Sequence, residues 1–241
     1  MNIFNKFNKF KFHIICSALF FFFTVSCNAG ILIAGTRLVY EENRKEVSIS
    51  ISNPDKVPYL IQSWLEPDNI SFAEGNEKSN LPFIITPPLF RLNADASNSL
   101  RIVKVKNLPS DRESVYWLNI KSIPASDPNA QNQLLISVNS RIKLFYRPSN
   151  LLQKDAATAY QHLIFTYQDG NLLAKNPTPF YISLQTLTVN KNDIEQPGMI
   201  APFAEKTWEL TQINNSEPTS VTWSAINDFG GKTATKTQSF R

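Results

Sequence analysis

The chain has 241 residues, 42% of them apolar, with 24 basic and 20 acidic side chains, 2 histidines and 2 cysteines. That length is enough for one or two sizeable cores. A formal charge of +4 falls short of the strongly basic domain that nucleic-acid recognition uses, so no nucleic-acid partner is expected.

The first 29 residues read as a leader. Residues 1–13 carry Lys6, Lys9 and Lys11 and no acid, IICSALFFFFTV follows at 14–25, and SCNAG supplies small residues for cleavage. This is the layout of a secretory signal peptide, and the apolar run is too short for a membrane-spanning helix, which needs about 20 residues. Cleavage is predicted after Ala29. Lipoprotein processing at Cys27 is the weaker alternative, because Thr24 stands where an aliphatic residue is usual. Both Cys16 and Cys27 lie in the leader, so the mature chain would hold no disulfide and depend on burial. Without the leader, 21 basic groups face 20 acidic ones, and no second apolar segment reaches spanning length.

The remainder predicts an all-β protein, with short runs rich in Val, Ile, Thr, Tyr and Phe separated by turn signals. EVSISISN (46–53) alternates, with Val47, Ile49 and Ile51 on one face and serines on the other, as a half-buried strand does. YLIQSWLEP (59–67) is a strand ended by Pro67. SLRIVKV (99–105) alternates through Leu100 and Ile102, then shifts phase to Val103 and Val105. SVYWLNIKSIP (114–124) puts Tyr116, Leu118 and Ile120 on one face. QLLISVNSRIKLFYRP (133–148) predicts one long strand. A polar stretch follows Pro148, and DAATAYQHLIF (155–165) allows a turn or two of helix. Strands resume at 162–168, 171–178, 180–189, 206–210 and 220–227. Each half is the size of an immunoglobulin-like sandwich, and the boundary is placed at about 147–150.

Catalytic signals are missing. His13 falls in the leader and His162 stands alone. There is no G-x-S-x-G elbow, no Cys/His/Asp cluster with metal-ligand spacing, and Gly230-Gly231-Lys232 lacks the upstream glycine of a phosphate loop. Glu41 and Glu42 are adjacent and would face opposite ways on a strand. No catalytic residue, metal, cofactor or small-molecule substrate is therefore expected. Binding remains, and two features bear on it: the long 133–148 run, and the cations Arg37 and Lys143 inside strand-like segments. On pattern alone the first is an ordinary core strand and the second are solvated strand ends.

The motifs GTRLVY (35–40), YLIQSWLEP (59–67), FIITPPLFRL (83–92), LRIVK (100–104), LPSDRESVYWLNIKSIP (108–124), SRIKLFYRP (140–148), NPTPFYISL (176–184) and INDFG (226–230) occur in one order. Together they resemble the periplasmic chaperones of the chaperone–usher pilus pathway. The resemblance implies two immunoglobulin-like β-sandwich domains, 30–147 and 148–241, at an angle with a cleft between them. It implies that Arg37 and Lys143 bind the terminal carboxylate of a pilus subunit. It also makes Leu134, Ile136 and Val138 a donor strand that completes the subunit's fold by donor-strand complementation. Glu113, Arg147 and Asp228 match an interdomain salt-bridge set that would hold the domain angle. The implied partners are pilus (fimbrial) subunits and an outer-membrane usher, in the periplasm and without enzymatic activity.

Residues 125–140, between Pro124 and the RIKL motif, form a short connection, as in relatives that serve rod-like, adhesin-tipped pili. Asn139 stands where an aliphatic residue is common. The exposed Leu134/Ile136/Val138 edge leaves self-association of the free chain open. The alternatives are an adhesin or pilus subunit, which should carry an N-terminal extension with alternating apolar residues, and a sugar-binding sandwich, which should cluster exposed aromatics. Trp64, Trp117, Trp208 and Trp223 all sit in strand patterns, where core packing is expected.

Overall fold

In strand after strand of the first half, side chains of alternate parity turn inward, and their apolar members set where the core lies. In the computed structural model, residues 30–68, 81–126, 134–210 and 218–240 are described. The strands are β1 (Leu32–Ile33), β2 (Arg37–Glu41), β3 (Val47–Ser52), β4 (Tyr59–Pro67), β5 (Phe83–Thr86), β6 (Leu89–Leu92), β7 (Ser97–Lys104), β8 (Ser114–Pro124) and β9 (Val138–Arg147). They form two sheets, in the orders β1-β3-β7-β5 and β2-β9-β8-β4-β6. Ile49 and Ile51 of β3, Leu100 and Ile102 of β7, Tyr116, Leu118 and Ile120 of β8, and Ile142, Leu144 and Tyr146 of β9 fill the space between them. At one end Phe83 packs edge-on against Tyr116, with centroids 5.3 Å apart, and beside Tyr40 and Tyr146, in the offset and edge geometries that rings prefer.

The second half builds its own core. Helix α1 (Gln153–Thr158) runs into a 3-10 turn at Ala159–His162. Then come β10 (Ile164–Gln168), β11 (Asn171–Lys175), β12 (Ile182–Val189), β13 (Asn192–Asp193), β14 (Met199–Ile200), β15 (Glu205–Glu209), β16 (Ser220–Ala225) and β17 (Lys236–Ser239). One sheet is β10-β11-β15; the other is β13-β12-β16-β17, with β14 also on β12. Phe165, Leu172, Leu187, Val189, Val221 and Trp223 lie between the sheets. The Trp223 indole N–H donates to the Tyr160 carbonyl at 2.8 Å, so the most deeply buried indole has its partner.

Several expectations are corrected. β7 keeps its phase: Leu100 and Ile102 are buried, whereas Val105 lies outside the strand and is exposed. Among the four tryptophans only Trp223 is a core residue; Trp208 packs partly against that core, and Trp64 and Trp117 are half-buried on an outer face. The long 133–148 strand is shorter than its pattern suggests. The β8–β9 ladder ends at Ser122↔Val138, while Ile123 and Pro124 pair with β4 alone. Residues 134–137 thus have no neighbouring strand among the described residues and are not strand. The 1–29 leader lies outside the described residues.

Candidate functional site

Register places the two singled-out cations side by side. β2 runs parallel to β9 with Arg37 beside Lys143, and β8 runs antiparallel on the other side with Trp117 beside Lys143. Partners in register share a face of a sheet, so Trp117, Lys143 and Arg37 form one row across three strands. Leu144 and Tyr146 take the opposite face into the first core. The outer row turns toward the second half. The Lys143 ammonium donates to Ser183 Oγ at 3.3 Å, and Arg37 Nη1 donates to the Ile226 carbonyl at 3.0 Å. The Phe145 ring meets Tyr181 at 6.0 Å between centroids. Arg37 also lies over the Phe145 ring at 5.5 Å, and Lys143 over Trp117 at the same distance. A cavity of about 150 Å³ opens here, between residues such as Arg37 and Phe145 on one side and Ile182, Ser183 and Ile226 on the other.

Neither cation has a carboxylate within ion-pair distance among the described residues. Burial pulls the Lys143 ammonium down to about 8, the neighbouring Arg37 charge pulls the same way, Asp68 opposes, and Lys206 adds to the depression. Burial also lowers the Arg37 guanidinium against the raising charges of Asp228 and Glu113. Arg37 Nε is buried with no hydrogen-bond partner. Two adjacent, partly dehydrated cations with unused donors suit an anion bearing two acceptor oxygens.

On the same face, the end of β9 carries the second constellation. Arg147 is 4% exposed and donates from Nε to Glu113 Oε1 at 2.7 Å and through Nη1 and Nη2 to the two Asp228 oxygens at 2.8 and 3.0 Å. The other Glu113 oxygen accepts the Tyr181 amide at 2.8 Å. The network therefore joins β9, the loop before β8, the start of β12 and the turn after β16. Burial alone would lower the Arg147 guanidinium, but bonding to Asp228 and the charges of both acids outweigh it and raise it. Burial pushes the Glu113 carboxyl up, with Arg147 and the Tyr181 amide opposing.

The free edge lies above the cations. β2 covers β9 only from Lys143 to Arg147. Beyond Arg37 the chain passes through Gly35 into β1, which belongs to the other sheet. Along Val138–Ile142 no strand among the described residues lies on that side of β9, and an open recess there is lined by Ile31, Ile33, Gly35, Thr36, Ser140 and Ile142. Leading into it, Leu134, Ile136 and Val138 are 83%, 65% and 53% exposed.

Sequence reasoning missed Ser183, Trp117 and Asp68 around Lys143, and Lys206 as a more distant charge that acts on it. Asp68 is buried, accepts the Trp117 indole N–H at 3.3 Å and keeps its second oxygen unbonded. Only for Lys206 was a signal available, since its spacing from Trp208 puts a lysine in phase with an aromatic on one face of KTWEL.

Fold and site describe a two-domain immunoglobulin-like binding protein with a cationic cleft. Residues 30–152 match the pili and flagellar-assembly chaperone PapD N-terminal domain, and residues 158–237 match the pili assembly chaperone PapD C-terminal domain. The chain belongs to this family of periplasmic pilus-assembly chaperones. It is 40% identical to the chaperone protein LpfB of Salmonella typhimurium, over 83% of this chain and 85% of that one. It is 37% identical to the chaperone protein FocC of Escherichia coli, over 91% and 94%. Among solved structures, a chain in the Salmonella enterica SafA pilin–SafB chaperone complex superposes with a TM-score of 0.74 at 30% identity, covering 90% of this chain and 99% of that one. The Escherichia coli chaperone DraB gives 0.72 at 32% identity, covering 88% and 98%. An adhesin or pilus-subunit identity is not favoured.

Proposed function

We propose that this protein captures pilus subunits in the periplasm by lending them a β-strand edge, and passes them to an outer-membrane usher without enzymatic chemistry. The bare side of β9 at Val138–Ile142 offers main-chain donors and acceptors, and Leu134, Ile136 and Val138 offer apolar side chains to a subunit groove. Arg37 and Lys143 take the subunit's terminal carboxylate, which fixes the register of everything above it. Glu113, Arg147 and Asp228 hold domains 30–147 and 148–241 in the orientation that keeps the cleft open. Residues 1–29 act as the cleaved export signal.

The observation that carries this reading is continuity: one strand has an open edge at one end and the paired cations where that edge stops. The test is co-expression with a pilus subunit and recovery of a one-to-one periplasmic complex, wild type against Leu134→Ser/Ile136→Ser. These side chains are exposed, so the variant should fold normally and recover little subunit. Undiminished recovery would remove the 134–138 segment from the binding surface.

A further inference from the structure

The second domain carries a half-buried cation of its own, Lys206. Lys206 sits on β15, an edge strand, and alternates in phase with the half-buried Trp208, so both point to the inner face of their sheet. Its register partner is the fully buried Ala174. Its sequence neighbour Glu205 points the other way and pairs with Lys175 at 3.6 Å.

The Lys206 ammonium passes over Gly198 so closely that a Cβ there would stand in contact with it. From Gly198 a short chain of contacts leads to the cleft: the Leu184 amide donates to the Gly198 carbonyl at 2.9 Å, and Ser183, which precedes Leu184, receives the Lys143 ammonium. Lys206 also lies 5.6 Å from the centre of the Trp208 ring, and no acid among the described residues is paired with it. Its charge is felt at Lys143, where it helps to depress the ammonium. A half-buried lysine without a counter-ion among the described residues is costly unless a ligand brings a negative charge.

We propose that Lys206 is a specificity-determining residue that pairs with an acidic side chain close to the C-terminus of the bound subunit, beside the terminal carboxylate held by Arg37 and Lys143. This rests on the carboxylate reading above. Arg37 and Lys143 recognise any chain end, since every chain has a terminal carboxylate. Lys206 distinguishes among chain ends, because only some carry an acid in their last residues. A weakly paired ammonium tunes preference rather than affinity as a whole.

The experiment is a binding titration of the full mature chain with synthetic peptides that have Glu or Gln at each of the last three positions, each with a free and an amidated terminus. Wild type should prefer Glu over Gln about fivefold at one of those positions. Lys206→Gln should abolish that preference while leaving the Gln peptides as tightly bound as before. Equal weakening of Glu and Gln peptides, or no change in either, would overturn the assignment and leave Lys206 as an inward charge that guards an edge strand. The amidated peptides separate the two readings: if amidation costs nothing, or no peptide binds wild type, the carboxylate cleft itself fails and takes this assignment with it.

Discussion

Arg37 and Lys143 are register partners in the only parallel pairing among the described strands, so their side chains leave the same face of the sheet one strand apart. A one-residue slip of β2 would send Arg37 into the core face and break the pair. The pairing of these two cations is thus set by strand register, and four expectations about Lys143, Arg147, Gly230 and Glu42 can be measured.

The first concerns proton linkage. The Lys143 ammonium is held near 8 in the free protein, against an ordinary 10.5. A bound carboxylate would raise it again. Peptide binding between pH 8 and 10 should therefore take up protons, and affinity should fall as pH rises through 8. Calorimetry in two buffers of different ionisation enthalpy reads the uptake directly. For folding the sign is opposite to that of a paired lysine. Because the folded value lies below the unfolded one, this group's contribution to stability increases from pH 8 to 10.5. Lys143→Met, which keeps the stem and deletes the charge, should match or exceed wild type in urea midpoint at pH 7.

Arg147 makes a contrasting case. Removing it strands Glu113, which is 3% exposed. Arg147→Met should cost about 3–5 kcal/mol in urea denaturation. Asp228→Asn should cost much less, because Asp228 is half-buried and its amide still accepts from one guanidinium nitrogen. Adding Glu113→Gln to Arg147→Met should restore part of the loss, since the remaining buried charge is then gone.

Gly230 lies where the two domains touch. Its φ is +83°, and a Cβ would stand 2.7 Å from Thr36 Oγ1. Gly230→Ala should destabilise by about 1–3 kcal/mol through backbone strain and the clash together. In a Thr36→Ala background the same substitution should cost less, because only the strain remains. Equal costs in both backgrounds would show that the contact with Thr36 is unimportant.

Glu42 fastens the crossing between domains. Its carboxylate accepts from the Ser149 amide at 3.0 Å and hydroxyl at 3.1 Å, and Lys104 lies 3.4 Å away. The Ser149 amide, followed by the Tyr146 hydroxyl, holds this carboxyl at about 2, below its ordinary 4.5. The stability it provides is complete above pH 4.5 and is lost as pH falls through 2. Glu42→Gln should be less stable than wild type at pH 7 and converge on it toward pH 2, measured as the urea midpoint across that range.

The sequence made the alternating strands legible because burial imposes a period of two. Ile49 and Ile51 in β3 and Tyr116, Leu118 and Ile120 in β8 face inward as their spacing demands. It overextended β9, because alternation reports which residues could pair and not whether a neighbour is present; Leu134 and Ile136 keep the pattern after the partner strand has ended. The cleft was half legible. Motifs pointed to Arg37, Lys143, Glu113, Arg147 and Asp228, but Ser183 and Asp68 are ordinary polar residues whose positions depend on how two distant segments meet. Trp117 looked like a core residue, and only the β8–β9 register shows that it lies on the outer row beside Lys143.

The most direct test of the central claim is recovery of a co-expressed pilus subunit by wild type and by Lys143→Ala, with circular dichroism to verify that both are folded. Subunit in a one-to-one complex with wild type, and its loss from a folded Lys143→Ala, is the result expected of a carboxylate anchored in the cleft. Equal recovery by both proteins would contradict the anchor, and no recovery by either would contradict subunit capture itself.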